Sequence, residues 1–198
     1  MLTHLPDVLF KVKNPALFLS FCVRLLFETY WTVAAKASSP AKSSESRKSR
    51  QLHVFLVNVA FILLYVPVPG LNQRFLPDAS LVVRAGLIVQ MTFTLLGVWA
   101  RRHLGSNWSG EIAIKLDHRL IHSGPYKWVR HPIYTAILGM SAGTAIISGQ
   151  LHAALALVIV VLAYWRKIRL EEASLSKAFG PAYDAYRRDT WALVPGLL

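Results

Sequence analysis

The chain has 198 residues, 54% of them hydrophobic and only 16% charged, with a mean hydropathy of +0.41; soluble domains carry about 25% charged residues, so an ordinary water-soluble globule is excluded. A formal net charge of +12 invites a nucleic-acid reading, yet Lys and Arg sit in clusters between apolar segments and form no stripe interleaved with aromatics, which speaks for membrane topology and against nucleic acid. Cys22 is the only cysteine and lies in an apolar run, which excludes an intrachain disulfide and a thiolate metal centre.

In chain order, "MLTHLPDVLF" offers no basic start followed by a clean apolar core, so a cleaved signal peptide is not expected. Four apolar stretches then approach or reach the roughly 20 residues of a membrane-spanning helix: 16–35, 52–69, 80–100 and a long block over 132–165. The first contains Arg24 and Glu28, four apart and able to pair on one helix face, which is compatible with spanning or with lying at the interface. Residues 36–50, within "AKASSPAKSSESRKSR", form a Ser-rich basic linker without apolar periodicity, expected to be mobile. The block 132–165 is too long for one helix. It is interrupted by "SGQLH" at 148–152, the turn of a helical hairpin with limbs 132–147 and 151–165.

The positive-inside rule orients these segments. Residues 36–50, 101–130 and 166–188 hold 5, 6 and 6 of the 22 basic residues, whereas 67–78 has only Arg74, balanced by Asp78, and the turn at 148–152 has none. Five crossings with an external N-terminus and a cytoplasmic C-terminus fit this pattern; four crossings with the first segment lying on the cytoplasmic surface fit as well. The fold class is all-α, a polytopic integral membrane protein with about five transmembrane helices. It divides into N-terminal membrane helices (1–100, with the linker 36–50) and a core (101–198) made of a cytoplasmic loop, the hairpin 132–165 and a C-terminal helix.

Two segments far apart in sequence therefore meet on the cytoplasmic face. In "HRLIHSGPYKWVRHPIY" (118–134), Gly124 and Pro125 signal a turn, and Pro132 suits the first turn of a helix. His131 and Tyr134, three apart, then share one face at the helix mouth. In "RLEEASLSKAFGPAYDAY" (169–186) a helix continues from the membrane, Gly180 and Pro181 stop it, and Glu171 and Glu172 form an adjacent acidic pair. His118 and His122, four apart, could chelate a metal, but no second such pair and no cysteine cluster accompanies them, so no metal site is assigned. Tyr183, Tyr186 and Trp191 read as packing or interface aromatics.

These two segments, with the flanking "RRHLGSNWSG" (101–110) and the closing "VPG" (194–196), resemble the isoprenylcysteine carboxyl methyltransferase family and its bacterial, phospholipid methyltransferase-like relatives. The resemblance covers roughly 99–195, about half of the chain. It implies an integral membrane enzyme that takes S-adenosylmethionine from the cytoplasm and methylates a lipophilic acceptor, possible acceptors being the carboxylate of an isoprenylcysteine, a fatty acid, a phospholipid amine, a quinone precursor or a small thiol. Carried over by position, the cofactor site comprises His118, Arg119, Leu120, Ile121, Tyr126, His131, Pro132, Ile133, Tyr134 and Glu171. The family's substrate-facing arginine falls on Lys167, with Arg166 beside it; lysine pairs with a carboxylate but lacks the planar fork. Arg130 and Lys167 are the candidate catalytic residues, Arg130 holding either the cofactor carboxylate or a loop carbonyl. Glu172, one position past Glu171 and about 100° around the helix, is expected to face away and to make only surface pairs with Lys167, Arg169 or Lys177. Two competing functions remain at this stage: a membrane sterol or enone reductase using a nicotinamide, and a non-catalytic membrane adaptor whose basic loops bind anionic lipid.

Overall fold

The structure is a computed structural model and describes residues 14–36, 42–43, 45–105, 113–114 and 120–196. The first helix, α1 (Pro15–Lys36), starts on a proline whose missing N–H is no loss there, with the Asn14 side chain accepting from the Leu17 N–H at 3.0 Å. Next, α2 (Arg47–Tyr65) is capped by Ser46, whose hydroxyl accepts from the Ser49 N–H. The linker is thus shorter than its composition suggests, because its last residues open a helix; its middle, with the expected mobility, lies outside the described residues apart from Lys42–Ser43 (β1), paired antiparallel with Ala113–Ile114 (β2). The helix ends at Tyr65, short of the apolar stretch's end at 69, because Val66 precedes Pro67 and is driven to extended backbone.

The third helix, α3 (Ser80–Leu104), and α4 (Pro132–Ser148) are packed along their lengths. Small residues make this possible: a Cβ on Gly143 would lie 2.7 Å from the Gly86 carbonyl oxygen and 2.6 Å from the Gln90 amide nitrogen, and one on Gly139 would strike the Phe93 ring. Gly139 and Gly143 are four apart on one face, the spacing by which membrane helices bring backbones together. Polar side chains fasten the same region: Ser20 and Thr144 hydroxyls lie 3.1 Å apart, and Gln90 donates to the Ser20 carbonyl at 2.9 Å. Each joins elements that no water reaches in a membrane, where an unmade hydrogen bond is expensive.

The expected hairpin is present. Gly149, left-handed at φ 62°, closes α4 by donating to the Ala145 carbonyl, and α5 (Leu151–Phe179) begins two residues later. Loop 71–76 holds the turn through the Phe75 N–H to the Gly149 carbonyl and the Leu151 and His152 N–H groups to Gln73 and Leu71. The fifth helix is continuous from the apolar limb 151–165 into the polar 166–179, and it stops at Gly180 where α6 (Pro181–Asp189) starts. Large apolar side chains on α1, α2, α3 and α5 are exposed, Leu162 at 62% for example; on helices of this composition such faces meet lipid. Among the described residues three helices, α1, α3 and α5, are long and apolar enough to cross a membrane, and α4 is a shorter apolar helix. Among the described residues the regular structure is all helical apart from the two-residue strand pair, and the chain is an integral membrane protein.

Candidate functional site

The mouth of α4 is built by three converging pieces. A 3₁₀ turn at Gly124–Lys127 places Tyr126 inside, and the chain then runs through Val129 to His131, which precedes Pro132. The C-terminal segment docks on this run: the Arg130 N–H donates to the Trp191 carbonyl at 2.8 Å and the His131 N–H to the Ala192 carbonyl at 3.1 Å, while Thr135 donates its hydroxyl to the Leu193 carbonyl. The extension of α5 brings the two glutamates against it from the other side.

Glu172 is the buried one, and the expectation that it faces away is overturned. Arg130 Nε donates to its Oε1 at 2.8 Å, His131 Nε2 lies 3.3 Å from the same oxygen, and Arg187 Nε lies 3.7 Å from Oε2. Burial by itself would raise its pKa, but the hydrogen bonds from His131 and Arg130, with their charges, outweigh burial and hold the carboxyl at about 2. The rotation of α5 decides this: Ala156, Val160, Tyr164 and Ile168 are buried in steps of four, and Glu172 is the next member of that row. Extending the row from the apolar limb into the polar part was the sequence signal that could have found it.

Glu171, at 30% side-chain exposure against 10% for Glu172, sits on the edge of the same site. It accepts from the Tyr134 hydroxyl at 2.7 Å, and His131 Nδ1 lies 3.7 Å from it. The His131 and Tyr134 rings are stacked, 5.4 Å apart and 6° from parallel, so the two residues do share one face. Tyr126 completes the group. Its hydroxyl is buried without a hydrogen-bond partner, and burial, followed by the nearby Glu171 charge, pushes its pKa far up, so it stays a neutral donor. Tyr186 donates to the Tyr126 carbonyl at 2.7 Å, and Tyr183 is fully buried beside it; both pack, as expected.

Arg130 is engaged by loop carbonyls: besides Glu172 it donates to the carbonyls of Arg187 and Thr190. It ties three segments together, and beside it an open recess of about 320 Å³ is lined by Arg130, Arg187, Arg188, Asp189, Thr190 and Trp191. Lys167 is buried one helical turn before Glu171, next to Glu45 of the linker. Pro132 and Ile133 are buried in the first turn of α4, Leu120 and Ile121 are half-buried, and His118 and Arg119 lie outside the described residues. Among the described residues no group of three His, Cys, Asp or Glu side chains is placed to hold a metal ion.

Residues 86–177 match the isoprenylcysteine carboxyl methyltransferase family. The chain is 31% identical over 110 residues to a protein-S-isoprenylcysteine O-methyltransferase of Schizosaccharomyces pombe, covering 52% of this chain and 47% of that one. It is 30% identical over 168 residues to the nickel-cobalt-cadmium resistance protein NccN of Alcaligenes xylosoxydans xylosoxydans, covering 83% of this chain and 72% of the other. A solved eukaryotic intramembrane Ras methyltransferase superposes with a TM-score of 0.56 at 24% identity, over 77% of this chain and 54% of that chain, a likeness of fold. The chain thus spans about half the length of the Schizosaccharomyces pombe methyltransferase and of the solved Ras methyltransferase.

Proposed function

The chain belongs to the isoprenylcysteine carboxyl methyltransferase family, and from that premise we propose that it is an integral membrane methyltransferase that uses S-adenosylmethionine to methylate the carboxylate of a lipophilic acceptor such as an isoprenylcysteine. The observation that carries this reading is the joint of α4 and α5, where Tyr126, His131, Tyr134 and Glu171 gather from segments 37 or more residues apart. The cytoplasmic loop and the C-terminal helix lie on one side of the bilayer, the N-terminus on the other, and α2 and α4 cross with α1, α3 and α5 to make five spans. Residues 101–198 are the methyl-transfer core and 1–100 the membrane scaffold.

The residues fit the cofactor on one structural point: the site pairs an orphaned, buried donor, the Tyr126 hydroxyl, with a carboxylate at Glu171 that keeps acceptor capacity beyond its bond from Tyr134. Bound there, S-adenosylmethionine supplies an electrophilic methyl group on a sulfonium. Glu171 accepts from hydroxyl or ammonium donors, the Tyr126 hydroxyl donates, and the stacked His131 and Tyr134 rings offer a face to positive charge. Leu120, Ile121, Pro132 and Ile133 line the approach, with His118 and Arg119 as further contacts. Arg130 is a positioning residue, fixing the mouth of α4 against Glu172 and the C-terminal carbonyls. An acceptor carboxylate is already ionised at neutral pH, so the protein has no need of a strong base; binding, orientation and exclusion of water are its contributions.

The test is the purified protein in lipid nanodiscs. S-adenosylhomocysteine at 100 times its dissociation constant is expected to stabilise it by about 2.7 kcal/mol, and methyl-labelled S-adenosylmethionine to label a prenylcysteine probe. Stabilisation by NADPH in place of S-adenosylhomocysteine, or by neither, would overturn the reading.

A further inference from the structure

The stretch 36–50, from the end of α1 into the first turn of α2, is basic, with Lys36, Lys42, Arg47, Lys48 and Arg50 and a single acid, Glu45. A lone carboxylate near surface cations such as Arg47 and Lys48 finds partners there easily and gains little from burial. Glu45 is nevertheless inside, with its side chain 2% exposed, and Lys167 of α5, 8% exposed, points its Nζ at Oε2 from 3.4 Å. The Ser49 hydroxyl donates to Oε1 at 2.6 Å, and Arg166 in turn donates to the Ser49 hydroxyl at 2.6 Å. Two adjacent cations and a hydroxyl thus surround one carboxylate. Burial works against its charge, but the Ser49 bond and the Lys167 charge hold its pKa below the usual value, so it is ionised at neutral pH.

The place of this group matters as much as its chemistry. Lys167 precedes Glu171 by four residues, about 6 Å along the helix. The Tyr164 ring stands between the two regions: 5.0 Å on one side is His53 of α2, one turn past Ser49, with a buried ring nitrogen lacking a partner, and 5.0 Å on the other is Tyr134, which holds Glu171. A carboxylate at Lys167 is therefore one aromatic ring away from the candidate methyl-donor site. The Lys167–Glu45 contact is also long for a charge-assisted hydrogen bond, which prefers about 2.7–2.9 Å, so a better placed carboxylate can compete for the lysine.

Lys167 stands where the resemblance puts a substrate-facing arginine, and we propose that Glu45 is a tethered carboxylate that fills this seat, beside Lys167, Arg166 and Ser49, until an acidic acceptor displaces it. The proposal rests on the methyltransferase reading and adds to it an internal competitor that sets the apparent affinity for acidic acceptors. Removing the competitor's charge frees the seat, so the apparent dissociation constant should fall by the fraction of time the seat was closed.

The experiment measures equilibrium binding of an N-acetylated S-prenylcysteine, as free acid and as carboxamide, to the full-length protein without cofactor. Wild type, Glu45→Gln, Lys167→Met and the double variant are compared, with S-adenosylhomocysteine binding followed in parallel as a check of fold and of the cofactor site. Glu45→Gln is expected to tighten the acid about tenfold and leave the carboxamide within about twofold. Lys167→Met should weaken the acid, and the double variant should show no gain over Lys167→Met alone. Unchanged or weaker binding of the acid in Glu45→Gln would make the pair a structural tie and overturn the proposal, as would equal tightening of acid and amide or no acid binding in any protein. Loss of S-adenosylhomocysteine binding in every protein, with the acid responding as expected, would instead remove the methyltransferase reading and keep the seat.

Discussion

The α3–α4 seam and the joint at the polar end of α5 are both tightly packed, yet opposite chemistries hold them. In the seam, Gly86, Gly139 and Gly143 let backbones and the Phe93 ring close on one another, and the interaction is one of shape. At the joint, Arg130, His131 and Glu172 are buried charged or polar groups that satisfy each other within 3.3 Å. The lesson lies in what fills each space. Lipid tails are as apolar as a leucine core, so inside the bilayer only close contact and internal hydrogen bonds separate one helix pairing from another. Beyond the bilayer a charged group can fix the docking of loop on helix with directional bonds, and it fails steeply when one partner is missing.

The largest expected effect follows from that steepness. Arg130→Ala takes from Glu172 its shortest partner, leaving His131 and Arg187, and frees the Arg187 and Thr190 carbonyls, and it should destabilise the protein by about 3 kcal/mol. Thermal or denaturant unfolding in nanodiscs measures this; a loss under about 1 kcal/mol, typical of a surface pair, would equate the joint with solvated charge. The same joint predicts a pH dependence. A carboxyl held at about 2 in the folded state, below its ordinary value of 4.5, contributes stability that is complete above the unfolded pKa and is lost as pH falls through 4.5 towards 2. The difference in thermal midpoint between wild type and Glu172→Gln should thus be flat from pH 6 to 8 and shrink on acidification; a constant difference at all pH values would assign it to packing.

Gly143→Ala tests the seam. The new Cβ would meet backbone of α3, which cannot rotate away, so about 1–3 kcal/mol of overpacking is expected, independent of pH and salt. Salt or pH sensitivity in this variant would erase the contrast between the two regions. A further prediction divides the joint itself. Glu171→Gln should weaken S-adenosylhomocysteine binding by about tenfold to a hundredfold, from 1–3 kcal/mol of stranded donors, while barely moving the thermal midpoint, because Glu171 stands at the exposed edge. Glu172→Gln should do the reverse, and equal effects of the two on both readouts would mean a general electrostatic field. The smallest effect belongs to the lipid face: Leu162→Ala should change stability by no more than about 0.5 kcal/mol.

Much of the architecture was legible along the chain because it depends on neighbours in sequence. The hairpin turn at 148–152, the helix start at Pro132 and the stop at Gly180 and Pro181 are local backbone chemistry, and the apolar lengths require burial in lipid. The pairing of the 118–134 segment with the 169–186 segment was legible from charge distribution and resemblance, and Tyr134 does reach Glu171. The end of α2 at Tyr65, four residues before its apolar stretch ends, follows from Pro67 and could have been read.

What the sequence could not decide is which way each helix turns. Glu171 and Glu172 differ by one position and about 100° of rotation; the row Ala156, Val160, Tyr164 and Ile168 points to Glu172 once α5 is known to run unbroken into its polar part, and the packing of that row is what buries Glu172 and leaves Glu171 at the edge. The partnership of Glu45 with Lys167, 122 positions apart, is of the same kind, since no local rule selects one carboxylate for a lysine when loop closure costs rise so slowly with length. Sequence determined the helices, their ends and the polar segments that gather charge, because those depend on local dihedral preference and on transfer to lipid. Tertiary structure alone decided the contacts within the site, because these depend on helix rotation and on close packing between distant segments.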